Sequence, residues 1–309
     1  MAPRSDPRAV AALLFGAAAI GFAPILARLT ETGPSAAAFW RLAFAVPLLA
    51  VLAFRRSQPG AAPSRWAVAA GVFFALDMAF WHYGLVFTSV ANATVLTNLT
   101  PVVVTVAAWL LFRERPKALF LAALALAIAG AVTMAMAKGS GGRGTNPPLG
   151  DLLSTVTALW YGGYFLCVRQ ARERSTASSV MFWSGVTGAP LLLIAALVLR
   201  EGVWPASASG WMACVALGVM HVAGQGSIAW ALGRLPMALA AVTVLVQPVV
   251  AAALGWLVFT ERVTPVQAVG AATLLAGVVL AQVSARATQK KGAEPVGPTP
   301  LSEKPSGAV

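Results

Sequence analysis

The sequence predicts an all-α integral membrane fold of ten transmembrane helices, arranged as two inverted five-helix repeats, and three observations carry that reading. The first is composition: of the 309 residues, 59% are hydrophobic and only 10% charged, with a mean hydropathy of +0.78. An ordinary soluble domain carries about a quarter charged residues, so this chain has too few to cover a water-facing surface. The second is the placement of its basic residues in alternate loops. The third is an internal repeat.

A spanning helix needs about 20 mostly apolar residues. In order along the chain, such stretches cover residues 9–26, 36–54, 66–86, 91–112 and 118–137, which make a first repeat over 8–137. Residues 138–150, KGSGGRGTNPPLG, are dense in Gly and Pro and predict a flexible linker. Five more stretches follow at 151–168, 178–199, 209–232, 237–260 and 263–285, a second repeat over 151–285. Residues 286–309 are rich in Lys, Glu, Pro, Gly and Ser, too polar to bury a core, and predict a disordered cytoplasmic tail. The first stretch, with Arg4 and Arg8 before it, has some character of a secretory signal, but removing it would leave nine spans and spoil the loop-charge pattern.

The formal charge is +12, from 22 Lys and Arg against 10 Asp and Glu, with a pI near 11.0. A nucleic-acid-binding surface would gather those cations on one soluble face. Here Arg55, Arg56, Arg65, Arg113, Arg115, Lys117, Arg169, Arg172, Arg174 and Arg234 lie in the loops on the side of the N-terminus, together with the basic residues of both tails. Arg28, Lys138, Arg143, Arg200 and Arg262 lie opposite, and Arg41 alone sits within a span. The positive-inside rule then places both termini of this multi-pass protein in the cytoplasm.

Shifted by 147 residues, Ala91, Ala93, Val95, Pro101, Val102, Val103, Trp109, Leu110, Phe112, Glu114 and Arg115 match Ala238, Ala240, Val242, Pro248, Val249, Val250, Trp256, Leu257, Phe259, Glu261 and Arg262. At an offset of 143, Phe39, Trp40 and Pro47 match Phe182, Trp183 and Pro190. Apolar composition alone does not pair Pro, Trp, Glu and Arg. Because five is odd, the second copy enters the membrane in the opposite sense, and inverted repeats of this kind are a recurring transporter architecture with a site between the halves near the midplane. A duplicated structural bundle without transport is the plainer alternative.

Ionisable residues within spans are functional candidates because burying a charge there is costly. Asp77 lies about the middle of the third span, with Phe80, Trp81 and Gly84 at i+3, i+4 and i+7. These residues predict either a cavity wall whose carboxylate meets a substrate amine or a proton, or a structural ion pair with Arg41. Arg41 itself, near the outer end of its span, has the reach to snorkel to the interface, which is the favoured reading. His82 and His221 titrate in the physiological range; each is either simply hydrogen-bonded or, for His221 with Gln225 one turn on, a polar contact for substrate. Asn98 precedes Pro101 and Gln247 precedes Pro248 at equivalent depths, where proline frees a backbone carbonyl and kinks or breaks the helix. Their amides serve either substrate or interhelical hydrogen bonds. Trp160 and Tyr164 share a helical face suited to flat apolar ligands. Trp66, Trp109, Trp204, Trp211 and Trp256 read as interfacial belt, and Cys167 and Cys214 as small packing residues, with no metal or cofactor spacing.

The stretch HYGLVFTSVANATVLTNLTPVVVTVAAWLLFRER, from His82 to Arg115, and its echo QPVVAAALGWLVFTER resemble the EamA-domain proteins of the drug/metabolite transporter superfamily. The resemblance covers residues 8–286. It implies export of a small molecule across a bacterial inner (plasma) membrane, for which the inverted repeat predicts alternating access, and length and intramembrane aromatics are most similar to bacterial exporters of aromatic and hydrophobic amino acids. Small multidrug relatives exchange protons on a Glu in their first span. AVAALLFGAAAIGFAPIL has no acid, so facilitated diffusion is the simpler expectation, with proton-coupled antiport, or a drug, purine or sugar derivative as cargo, as alternatives. No HExxH, GxSxG or paired-aspartate pattern marks a membrane-embedded enzyme. The expected partners are a small-molecule substrate and the lipid bilayer, with no nucleic acid and no obligate protein partner, so a monomer suffices.

Overall fold

The computed structural model describes residues 6–54, 62–88, 90–113, 115–137, 145–259 and 263–292. Arg4, Arg55, Arg56, Glu114, Lys138, Arg143, Glu261 and Arg262, most of the linker and residues 293–309 of the tail lie outside them. All regular structure among the described residues is helical: α1 Pro7–Gly21, α2 Ala23–Arg28, α3 Pro34–Ala53, α4 Arg65–Phe87, α5 Val90–Thr97, α6 Thr100–Phe112, α7 Ala118–Ala137, α8 Pro147–Ala171, α9 Ala177–Val198, α10 Ala208–Leu232, α11 Met237–Val244, α12 Gln247–Phe259 and α13 Pro265–Gly292.

The helices begin where the sequence supplies a cap. Side chains of Asp6, Ser64, Asn146, Thr176 and Ser207 accept from backbone N–H groups in the first turns of α1, α4, α8, α9 and α10, and Pro7, Pro34 and Pro147 occupy first-turn positions that need no donor. The cap at Asn146 starts α8 inside the stretch expected to be linker, and α13 runs to Gly292, past the expected start of the tail.

Among the described residues, nine helical stretches are long and apolar enough to cross a membrane. The sixth expected span, α8, has the length at 25 residues but is not one of the nine. Asp151, Ser154, Thr155, Thr157, Tyr161 and Tyr164 dilute its hydropathy because it faces neighbouring helices more than lipid. The outer surface is apolar elsewhere, with Phe15, Val51, Leu110, Leu197, Met212 and Val269 each more than half exposed.

Packing crosses between the halves. α7 lies along α13 and α3 along α9, so these elements meet their own repeat counterparts, while α4 on α8 is mirrored by α10 on α1. The counterparts run antiparallel: Gly130 abuts Leu274, and Gly277 abuts Ala127. In the same way Leu42 and Val46 meet Gly188 and Gly185, and Phe54 meets Phe182 at 5.0 Å. Lipid offers no hydrophobic drive for helix pairing, so small residues that let backbones approach supply it through close van der Waals contact.

Both expected proline breaks occur. α5 stops at Thr97 and α6 starts at Thr100, just before Pro101; α11 stops at Val244 and α12 starts at Gln247, just before Pro248. At the first break the carbonyl of Thr97 accepts from the Thr100 hydroxyl at 2.7 Å. A third break, at Phe22 before Pro24, divides α1 from α2, whereas Pro47 and Pro190 sit inside continuous helices.

Candidate functional site

The breaks and the crossing of α3, α4, α8 and α10 enclose a polar cluster in an otherwise apolar interior. Arg41 of α3 is buried, 7% exposed, and its Nε donates to His221 Nδ1 of α10 at 3.2 Å. That bond leaves the neutral imidazole with its proton on Nε2. Asp77 of α4 is 3% exposed and interacts electrostatically with Arg41. The Phe74 ring holds the group together, lying 5.6 Å from the Arg41 guanidinium carbon, 5.3 Å from the His221 ring and 5.2 Å from Tyr164. The Tyr164 hydroxyl donates to Gln225 Oε1 at 3.4 Å. Tyr161 stacks on Tyr164 at 5.8 Å, and its hydroxyl interacts with the side chains of Gln225 and Gln247.

Among the described residues, Arg41 Nη2, Asp77 Oδ2 and His221 Nε2 of this cluster, together with Trp160 Nε1 on α8 and Thr97 Oγ1, Asn98 Nδ2 and Gln247 Nε2 at the two breaks, are buried side-chain atoms without a hydrogen-bond partner. An unsatisfied buried group costs about 1–3 kcal/mol, more when charged. Each such group calls for an explanation, and a bound water, an ion or a ligand supplies one. The set holds a carboxyl oxygen and a guanidinium nitrogen as well as neutral donors, contributed by both halves.

Of the residues singled out from sequence, the structure gathers Asp77, Tyr164, His221, Gln225 and Gln247 around Arg41. Trp160 joins the aromatic wall, 5.8 Å from both Phe73 and Phe80. Asn98 lies at the α5–α6 break. The rings of Trp81 and His82 contact each other at 4.7 Å, and His82 Nδ1 donates to the Met78 carbonyl of its own helix at 2.7 Å, while its ring interacts electrostatically with Arg41 and Glu201. Gly84, expected to share the Asp77 face, packs against Ser154 instead.

The snorkelling reading of Arg41 is wrong. Its side chain lies on the stripe Ala37, Ala38, Leu42, Ala45 and Leu49, all buried, so it points into the bundle. Those small neighbours were a visible signal that the sequence reading missed. Tyr161 and Phe74 were missed as well; their i+3 spacing from Tyr164 and Asp77 was the available clue. Of the belt tryptophans, Trp66, Trp109, Trp204 and Trp256 are exposed, while Trp211 packs on Trp40 at 4.7 Å. Both cysteines are buried and free.

One end of the bundle is closed above the cluster. Glu201, in the α9–α10 connection, accepts from the Tyr83 hydroxyl at 2.5 Å and from the Ala36 N–H at 3.0 Å, and Trp40 Nε1 donates to the Val203 carbonyl at 2.7 Å. Trp40 is adjacent to Arg41, and Tyr83 lies six residues beyond Asp77, about 9 Å along the helix.

The model of the EamA-like transporter family matches the chain twice, over residues 7–136 and 148–282. The chain belongs to the EamA-like transporter family. This EamA protein is 27% identical over 273 residues to an uncharacterized transporter of Archaeoglobus fulgidus, an alignment covering 88% of this chain and 95% of that one. A solved crystal structure shares its fold, with a TM-score of 0.76 and 22% identity, covering 92% of this chain and all of the other. The EamA protein is thus a multi-pass membrane transporter, and the polar cluster between its halves is its candidate substrate site.

Proposed function

We propose that this transporter moves aromatic and other hydrophobic amino acids out of the cell by alternating access and facilitated diffusion, through ten spans with α8 as the sixth and both termini cytoplasmic. The observation that carries the reading is that Arg41 and Asp77, which attract each other, each keep one buried atom, Nη2 and Oδ2, without a hydrogen-bond partner among the described residues, beside aromatic rings. A zwitterion answers both: its carboxylate takes Arg41 Nη2 and His221 Nε2, its ammonium takes Asp77 Oδ2, and a flat apolar side chain lies among Phe74, Trp160, Tyr161 and Tyr164. Charge balance favours such a ligand over a lone anion or cation, because either alone adds an uncompensated charge to a buried pair of opposite charges. The glutamines and Asn98 complete the polar rim, and the helix breaks beside Asn98 and Gln247 give the two halves points at which to rock.

The test is flux into proteoliposomes. Labelled phenylalanine and leucine are expected to equilibrate with saturable kinetics without an imposed proton gradient, and phenylethylamine and phenylpropionate, each lacking one charge, are expected to compete at least tenfold more weakly. Equal competition by either analogue sinks the zwitterion reading. Flux that appears only with a proton gradient replaces facilitated diffusion with coupling.

A further inference from the structure

A second feature lies away from this cluster, at the end of the bundle that carries the N-terminus of α1. A crevice of about 550 Å³ opens there between α1, α3 and α10. Its floor is the side of α10 opposite His221 and Gln225, with Leu49 and Val222 among its apolar walls. Its polar end holds Arg172, Arg234 and Ser178, and among the described residues no acid lines it.

The two arginines are placed by the backbone and by aromatic contact. Arg172 Nε donates to the Ala229 carbonyl at 3.1 Å, and another of its nitrogens donates to the Ser175 carbonyl. Arg234 donates to the Trp230 carbonyl at 3.1 Å and lies 3.8 Å from the Trp230 ring centroid. Neither bond neutralises a charge. Burial pulls the Arg172 guanidinium below its ordinary value, and the neighbouring Arg234 pulls it further. The first turn of α9, capped by Thr176, adds the positive end of a 22-residue helix to the same spot. At the opposite end of the bundle the repeat counterpart, the N-terminus of α3, meets an anion from the chain itself, the Glu201 carboxylate on the Ala36 N–H. At α9 the corresponding place opens into the crevice.

We propose that this crevice binds an anionic phospholipid from the adjoining leaflet, its phosphate between Arg172, Arg234 and the start of α9 and its acyl chain against Leu49 and Val222. A phosphate supplies the missing negative charge, and the apolar walls ask for an attached chain. Basic pockets between transmembrane helices recognise lipid headgroups in this way.

Native mass spectrometry of the full-length protein in detergent, titrated with phosphatidylglycerol or phosphatidylcholine of the same chains, tests it. Wild type is expected to retain phosphatidylglycerol at least fivefold better, at roughly fivefold per arginine contact. Arg234→Gln is expected to remove most of that preference. Gly226→Leu, at a position where an added Cβ meets nothing within 4 Å, is expected to weaken retention of both lipids with the fold intact by circular dichroism. Equal retention of the two lipids by wild type, an unchanged preference in Arg234→Gln, or unchanged retention of both lipids by Gly226→Leu overturns the proposal. Release of the lipid by millimolar inorganic phosphate overturns the lipid assignment in favour of a soluble phosphate.

Discussion

At the scale of single residues, Arg41, Asp77 and His221 form a unit whose members are costly apart. Removing one charge of a buried pair leaves the other uncompensated, whereas removing both restores an apolar interior. Arg41→Met and Asp77→Leu are each expected to lower the melting temperature of the purified protein, and the double variant is expected to recover part of the loss. A double variant no better than the sum of the singles, in a thermal-shift cycle, shows that the two charges act independently. For transport, Arg41→Met or Asp77→Asn is expected to cost about 10- to 100-fold in amino-acid flux, since a hydrogen bond to a charged group contributes about 1.5–3 kcal/mol. His82→Ala, by contrast, is expected to change flux less than threefold, because its bond is to its own helix.

At the scale of elements, α7 against α13 is the tightest test of the packing argument. A Cβ at Gly277 would come 2.5 Å from the Ala127 backbone nitrogen, and one at Gly130 would overlap the backbone of Leu274. Neither obstacle is a flexible side-chain end. Gly277→Val and Gly130→Val are therefore expected to push the helices apart at a cost of about 1–3 kcal/mol or more, seen as lost monodisperse yield in size-exclusion chromatography. Gly226→Val on α10, facing open space, is the control that keeps its yield. The helix breaks belong to this scale too. Asn98–Pro101 and Gln247–Pro248 announce them in the sequence because proline removes a donor, yet Pro47 and Pro190 break nothing, so proline alone does not decide where a helix stops.

At the scale of the whole molecule, Glu201, Tyr83 and Trp40 hold one end shut over the cluster. The proposed alternating-access cycle would require that this closure open and reform. Tyr83→Phe removes the 2.5 Å bond to Glu201 and is expected to shift the population toward the state open at that end. A cysteine placed at Ser35, which is fully buried beside the closure, is expected to react at least fivefold faster with a membrane-impermeant thiol reagent in the Tyr83→Phe background. An unchanged rate means that the aromatic packing of Trp40, Trp204 and Trp211, rather than this bond, keeps the end closed.

Composition, hydropathy and the 147-residue repeat determined by themselves that the chain is helical, membrane-embedded and doubled, and Asp77, His221, Gln225 and Gln247 were conspicuous because polar groups within apolar spans are rare. Each of those signals is local, carried by the residue type and its immediate neighbours. Which polar residues meet was decided by tertiary structure alone. Arg41 and His221 lie 180 positions apart, and their contact exists because α3 packs on α10, across the halves, with Arg41 turned inward by the small residues beside it. The same cross-packing brought Tyr161 to the glutamines. Hydropathy measures a helix's average preference for lipid, whereas a site is defined by which face of each helix is turned away from it, and that orientation comes only from the neighbours.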